Sequence, residues 1–272
     1  MIDNIDLSKS NEYNLSIRVS SDGFSFSVVN PQNKSDFMFS KFDISPSTSV
    51  SANLKKWLSA TEELNHEYKK VFVIFNTSRF MALPASLYQE GNDGDIFYYN
   101  HSKINNEKVL SDKLIAEDIV MLYGVDKYCH QIISEHFNEF EMMCSATSLL
   151  HYYAGKSRIS GEKKIFIQLS EHDIKLFCFE NDKLLLLNSY NCKQVSDRLY
   201  YILCVWNNLG YNVQKDEIIL NGNIKDKELL HKELKRFVPN VFWFMPRAEF
   251  NRAPLAQVES FPFDMQTLLL CE

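Results

Sequence analysis

Leu15-Ser16-Ile17-Arg18-Val19-Ser20-Ser21-Asp22-Gly23-Phe24-Ser25-Phe26-Ser27-Val28 places an apolar side chain at every second position on both sides of an Asp-Gly pair. A side-chain period of two marks a half-buried strand, and Asp-Gly between two such runs signals a hairpin turn. Asn30-Pro31-Gln32-Asn33 makes a second turn. Phe37, Phe39 and Lys41 open a third alternating run. Residues 13–44 therefore read as a three-stranded antiparallel meander.

The same pattern returns roughly 150 residues later. Ile165, Ile167 and Leu169 alternate, Glu171-His172-Asp173 turns, and Ile174, Leu176 and Cys178 alternate again. Glu180-Asn181-Asp182 then turns into Leu184 and Leu186. A helical spacing follows each meander. Leu54, Trp57, Leu58 and Leu64 lie within 50–68, and Leu199, Ile202, Val205 and Trp206 within 195–210, with Gly210 as a stop. A short, wholly apolar strand comes next in each half, Val71 to Phe75 and Ile218 to Leu220. Such runs suit strands covered on both faces.

A second helix and strand complete each unit, 126–137 with 140–144 in the first and 226–238 with 241–245 in the second. The order is βββαβαβ twice, an internal duplication in an α/β chain with mixed sheets. The first unit is longer by about 45 residues, which places an insertion at 77–123. Strand-like pieces inside it are 80–83, 96–99 and 118–123. The domain reading is 1–160 for the first lobe and 161–272 for the second lobe with a C-terminal segment.

Composition narrows the function classes. The 272 residues are 45% hydrophobic, with 20 Phe, 13 Tyr and 3 Trp, too apolar for a disordered chain. A net charge of −6 argues against a nucleic-acid partner. No apolar run reaches the roughly 18 residues of a spanning helix. The polar opening Met1-Ile2-Asp3-Asn4 and six cysteines without a C-x-x-C pair point to the cytoplasm and to free, mostly buried thiols.

Two tandem βββαβαβ units with an insertion in the first resemble the actin-like ATPase fold, each unit being ribonuclease H-like. The segments VFVIFNTSRFMALPASLY at 71–88, EDIVMLYGVDKY at 117–128 and LLLCE at 268–272 resemble a Bacteroides-type bacterial family of that fold and unassigned activity. The chain also resembles the cytoplasmic assembly proteins of type II secretion and type IV pili. The resemblance implies an ATP site with an Asp and a glycine-rich turn at each first hairpin, and a Gly-Gly turn against the adenosine. Glycine lets backbone N–H groups approach phosphate, and Asp holds the water shell of magnesium.

The residues at those places depart from the pattern. In the first hairpin Asp22 and Gly23 are present, but Asp22 sits in the turn, and Arg18 and Ser20 stand where a carboxylate for a metal would be. The second hairpin, Ser170-Glu171-His172-Asp173, has no glycine. Asn221-Gly222 keeps one glycine after the buried strand and resembles a worn adenosine turn; as a plain loop it would supply positive φ. Clustered carboxylates for a two-metal nuclease are missing from the first strand. Cys144 with His151 and His130 with His136 are weak as metal pairs, because zinc needs about four ligands. The helix at 145–155, with Leu149, Leu150, Tyr152 and Tyr153, reads as core.

The expectation is a non-catalytic interaction or scaffold protein with an unidentified protein partner, no catalytic residue, no metal and no cofactor. The alternative is a divergent nucleotide-binding protein or weak ATPase that takes ATP with magnesium at Asp22, Gly23, Asn221 and Gly222.

Overall fold

The computed structural model describes residues 5–159, 161–250, 253–258 and 260–270. The first unit runs β1 (Asn14–Ser20), β2 (Gly23–Val29), β3 (Phe37–Asp43), α1 (Val50–Ala60) and β4 (Lys70–Asn76). The insertion holds β5 (Phe80–Pro84), α2 (Asp93–Asn100), β6 (Glu107–Leu114) and β7 (Ile119–Asp126). The unit closes with α3 (Lys127–His136), β8 (Glu141–Cys144) and α4 (Ser145–Ser157). The second runs β9 (Lys163–Leu169), β10 (Asp173–Glu180), β11 (Lys183–Asn191), α5 (Val195–Asn208), β12 (Glu217–Gly222), α6 (Lys227–Lys235) and β13 (Val241–Trp243). The short helix α7 (Pro246–Glu249) and α8 (Phe263–Leu270) follow.

The duplication is visible in the topology. The first sheet has the order β3-β2-β1-β4-β8 and the second β11-β10-β9-β12-β13, which is the same order unit for unit. In both, the meander is antiparallel and the later strands join in parallel, as Ile17 opposite Val73 and Ile167 opposite Leu220 show. Alternation decides which face each residue joins. Leu15, Ile17, Val19 and Val73 turn to one face of the first sheet, where Leu54, Trp57 and Leu58 of α1 and Ile133 of α3 cover them. Ile165, Ile167, Ile174 and Leu220 do the same under Trp206 of α5 and Leu234 of α6. Ser49 starts α1 by accepting from Ala52 N at 3.1 Å, and Asp126 starts α3 by accepting from Cys129 N at 2.8 Å.

The inner faces, turned toward the other unit, are covered by exchanged helices. α4 ends the first unit yet lays Tyr153 on Phe166 and Phe177 of the second sheet, ring centroids 4.5 and 5.1 Å apart. α8 follows the second unit yet packs Met265, with Leu255 and Phe261 from the segment before it, on Val29, Phe37, Phe72 and Ile74 of the first sheet. By packing, Leu255, Phe261, Met265, Leu268 and Leu269 thus belong with the first sheet, although they follow the second unit in the chain. The two helices touch where they cross.

Several elements differ from the sequence expectation. The run Ile96 to Tyr99 is helical, within α2; four apolar residues do not distinguish a strand from one buried helical turn, and here Phe97 alone is buried, against Leu83, Val120 and Leu122. Strand β6 was not expected, because Glu-Lys-Val-Leu-Ser-Asp-Lys-Leu is a half-exposed edge with little alternation. With β5 and β7 it makes an antiparallel sheet ordered β5-β7-β6. The helix expected over 50–68 stops at Ala60, and a 3-10 turn takes up Glu62–Asn65. Phe72 and Val73 are buried as expected, while Ile219 is only half-buried. Cys129, Cys144, Cys178, Cys192 and Cys204 are free thiols, the first four buried; Cys271 lies outside the described residues.

Candidate functional site between the two sheets

The carboxyl ends of parallel strands are where α/β folds place ligands, because backbone and loop groups converge there. In the first sheet that end is marked by Ser20 on β1 and Asn76 on β4. Asn76 Nδ2 donates to Ser20 Oγ at 3.1 Å, and Asn76 Oδ1 accepts from Ser145 Oγ, at the start of α4, at 2.9 Å. The same oxygen accepts from Lys175 Nζ of the second sheet at 2.9 Å. Lys175 is only 3% exposed, so its ammonium is withdrawn from water and held across the gap between the units. Its nearest carboxylate is Asp173, at 3.9 Å.

The hairpin between β9 and β10 is held by bonds within its turn and from α5. Ser170 N donates to Asp173 O at 3.0 Å, and Asp173 N donates to Ser170 Oγ at 3.2 Å. Arg198 on α5 is 1% exposed and its Nη2 donates to the carbonyls of Ser170 and Glu171, at 2.8 and 3.0 Å. Glu171 Oε1 accepts from Lys225 N at 3.2 Å. A buried guanidinium thus pins the turn by its carbonyl side.

The first hairpin is held otherwise. Its two-residue loop is Ser21 and Asp22, both exposed, with Ser20 opposite Gly23. Gly23 has no left-handed φ, and a Cβ on it would meet Phe42 O at 2.8 Å, so this glycine serves close pairing with β3. Arg18, on the inner face, donates Nε to both carboxylate oxygens of Asp264 on α8, at 3.0 and 2.8 Å. Ser148 Oγ of α4 donates to Asp264 O at 3.1 Å, which ties both exchanged helices to one residue.

Asn221 and Gly222 end β12. Asn221 is 6% exposed; its amide donates to Tyr153 OH at 3.3 Å and Gln168 Oε1 at 3.2 Å, and its oxygen accepts from Gly222 N at 2.8 Å. Gly222 has φ +107°, and a Cβ there would stand 2.2 Å from Leu169 O. Only glycine permits this approach of β12 to β9. Asp22 is thus at an exposed turn, while Asn221 is hydrogen-bonded to Tyr153 of α4, to Gln168 and to Gly222.

The insertion contributes one buried acid. Asp112 of β6 accepts from Cys144 N at 2.8 Å and Thr147 Oγ1 at 2.5 Å, at the positive N-terminal end of α4. Burial pushes its carboxyl up to about 6 in spite of those bonds. Burial, then the Asp112 charge, pushes the Cys144 thiol up to about 12, so it is an inert thiol. His151 does not meet Cys144: it is exposed and its Nδ1 lies 2.8 Å from Glu117 Oε1. His130 Nε2 lies 3.0 Å from Lys108 Nζ, and His136 Nε2 lies 3.1 Å from Leu64 O. No group of three or more His, Cys, Asp or Glu able to hold a metal occurs among the described residues.

These groups do not match what ATP with magnesium requires. The hairpin that would cradle phosphate has no glycine and keeps the Ser170 and Asp173 N–H groups within its own turn; the cation Arg18 is neutralised by Asp264, and Lys175 is spent on Asn76. No phosphoryl-transfer step is derived from them. Sequence reasoning named neither Asn76 nor Lys175. A polar residue ending the run Val71 to Phe75 was a usable signal for Asn76. Lys175 gave none, since alternation alone puts it on the face opposite Ile174 and Leu176, whose cover by α4 is a tertiary fact.

The family described as "Protein of unknown function (DUF3822)" matches residues 2–241. No curated protein matches the chain. A solved protein of Bacteroides thetaiotaomicron, described as having an actin-like ATPase fold and unknown function, is 37% identical; the match covers 98% of this chain and 99% of that one, with a TM-score of 0.88. The PilM–PilN type IV pilus biogenesis complex gives 9% identity over 94% of this chain and 97% of that one, with a TM-score of 0.65, a likeness of fold alone. The cytoplasmic domain of EpsL from the Vibrio cholerae type II secretion system is more distant, 9% identical over 77% and 81%, TM-score 0.40. The fold is therefore that of the actin-like ATPases, as the sequence resemblance implied. No helix among the described residues is long and apolar enough to cross a membrane.

Proposed function

We propose that this chain, which belongs to the DUF3822 family of proteins of unknown function, is a non-catalytic interaction or scaffold protein of the cytoplasm, built on an actin-like ATPase fold. The observation that carries this reading is the bond from Lys175 to Asn76. It takes the position between the sheets with the protein's own buried cation, and the hairpin beside it has no glycine and presents two carbonyls to Arg198. Phosphoryl transfer depends almost wholly on positioning and electrostatics, so losing both removes its basis. The acidic balance of −6 disfavours a nucleic-acid partner and leaves a protein partner as the natural one.

The test is thermal unfolding with ATP and magnesium. A ligand at 100 times its Kd adds about 2.7 kcal/mol. The expected result is an unchanged midpoint. A clear rise, or ATP turnover that Asp22→Ala removes, would replace this reading with the nucleotide-binding one at Asp22, Gly23, Asn221 and Gly222.

A further inference from the structure

Strands β3 and β11 hold the same place in the two sheets, yet their outer sides have different neighbours. β11 lies against β5, so the insertion of the first unit covers the second sheet at that edge. The second unit has no insertion between β12 and α6, and among the described residues no strand stands beside β3 on the side away from β2. A groove of about 420 Å³ runs there instead, between β3 and Gln257 and Val258 of the segment before α8. Phe39 floors it, packed on Phe261 at 4.5 Å between centroids. Lys41, next on that face, is exposed, and no ion pair of Lys41 occurs among the described residues. Lys41 is the charged side chain among the residues that line the groove, with Arg18, Asp22, Asp43 and Asp264 within its field.

We propose that β3 is the docking edge for an extended segment of a partner protein, which joins the first sheet as a further strand with an apolar side chain over Phe39 and a carboxylate beside Lys41. The proposal rests on the interaction-protein reading above and names its surface. An edge strand offers unpaired backbone N–H and C=O groups, and an added strand satisfies them while alternate side chains supply selectivity. The pitch of a strand sets successive same-face side chains two residues apart, which is the spacing of Phe39 and Lys41. Within this chain β5 packs against β11, the matching edge of the second sheet, without joining that sheet as a strand.

A displayed random-peptide library, panned on the purified chain, tests the docking edge. Bound peptides are expected to carry alternating apolar residues with one Asp or Glu, and to slow hydrogen exchange in residues 37–43. Lys41→Glu, an exposed change whose folding is checked by circular dichroism, should weaken them about five- to tenfold. Panning on that variant should return Lys or Arg at the acidic position. Failure to recover peptides, protection elsewhere, or indifference to Lys41→Glu overturns the proposal. So does protection of 37–43 that rises with protein concentration alone and accompanies a dimer in sedimentation, since a second copy is then the occupant. ATP is absent from this experiment, so it fails or succeeds independently of the nucleotide test.

Discussion

The inner face of the first sheet sets small polar side chains and Arg18 beside Val29, Phe37, Phe72 and Ile74, while that of the second carries three phenylalanines. Ser16, Arg18, Ser25 and Ser27 lie beneath α8, whereas Phe166, Phe177 and Phe179 lie beneath α4. The helices that cover them are matched accordingly. Asp264 answers Arg18 by charge, and Tyr153 answers the phenylalanines by stacking. One topology thus carries two kinds of glue. The second unit is held to α4 chiefly by ring packing, with one hydrogen bond from Asn221 to Tyr153, and the first is held to α8 in part by an ion pair that water reaches, since the Arg18 side chain is 19% exposed.

The strongest way to break this comparison is Tyr153→Ala, which removes a fully buried ring and leaves a cavity against Phe166. A loss of about 3–5 kcal/mol is expected in denaturant unfolding, larger than for Met265→Ala on the other face. Equal losses would mean that the two faces are alike in energy. Gly222→Ala comes next, at roughly 3 kcal/mol, because it combines a left-handed φ with a backbone collision at Leu169. An unchanged melting temperature would show that β12 relaxes freely.

Asp112→Asn sharpens the contrast at the insertion. The folded carboxyl titrates near 6, above its ordinary 3.8, so the folded state holds the proton more tightly than the unfolded one. Stability from this group is therefore fullest below about pH 4 and is lost as pH rises through about 6, on the order of 3 kcal/mol. The variant should lack that decline, as paired unfolding curves at pH 4, 6 and 8 would reveal. Parallel curves for the two proteins would count against it. Asp264→Ala should cost about 1–2 kcal/mol, discounted for the exposure of Arg18. A double-mutant cycle with Arg18→Ala should return most of that as coupling. Asp22→Ala, at an exposed turn, should stay within about 0.5 kcal/mol.

How much of this was legible from residues alone varies by region. The meanders, the buried strands and the duplication followed from alternation at Leu15, Ile17 and Val19 and its return at Ile165, Ile167 and Leu169, because a local period needs no tertiary knowledge. The insertion was located by length, but its β6 was hidden by a polar sequence and its α2 by a four-residue apolar run that fits either state. The site was the least legible part. Asn76, Ser145 and Lys175 are far apart in sequence, and nothing in their local context marks them as neighbours. The exchange of α8 onto the first sheet was likewise invisible, since helix periodicity says which face is buried and not against which partner.

That exchange sets an order of events at the ribosome. The inner face of the first sheet waits for Leu255, Phe261, Met265, Leu268 and Leu269, which emerge only after the whole second unit. At about 5–20 residues per second, the first sheet stands half-dressed for roughly 5–20 s of synthesis. During that interval Phe37, Phe72 and Ile74 face solvent or a chaperone. The nascent chain therefore completes its first unit last.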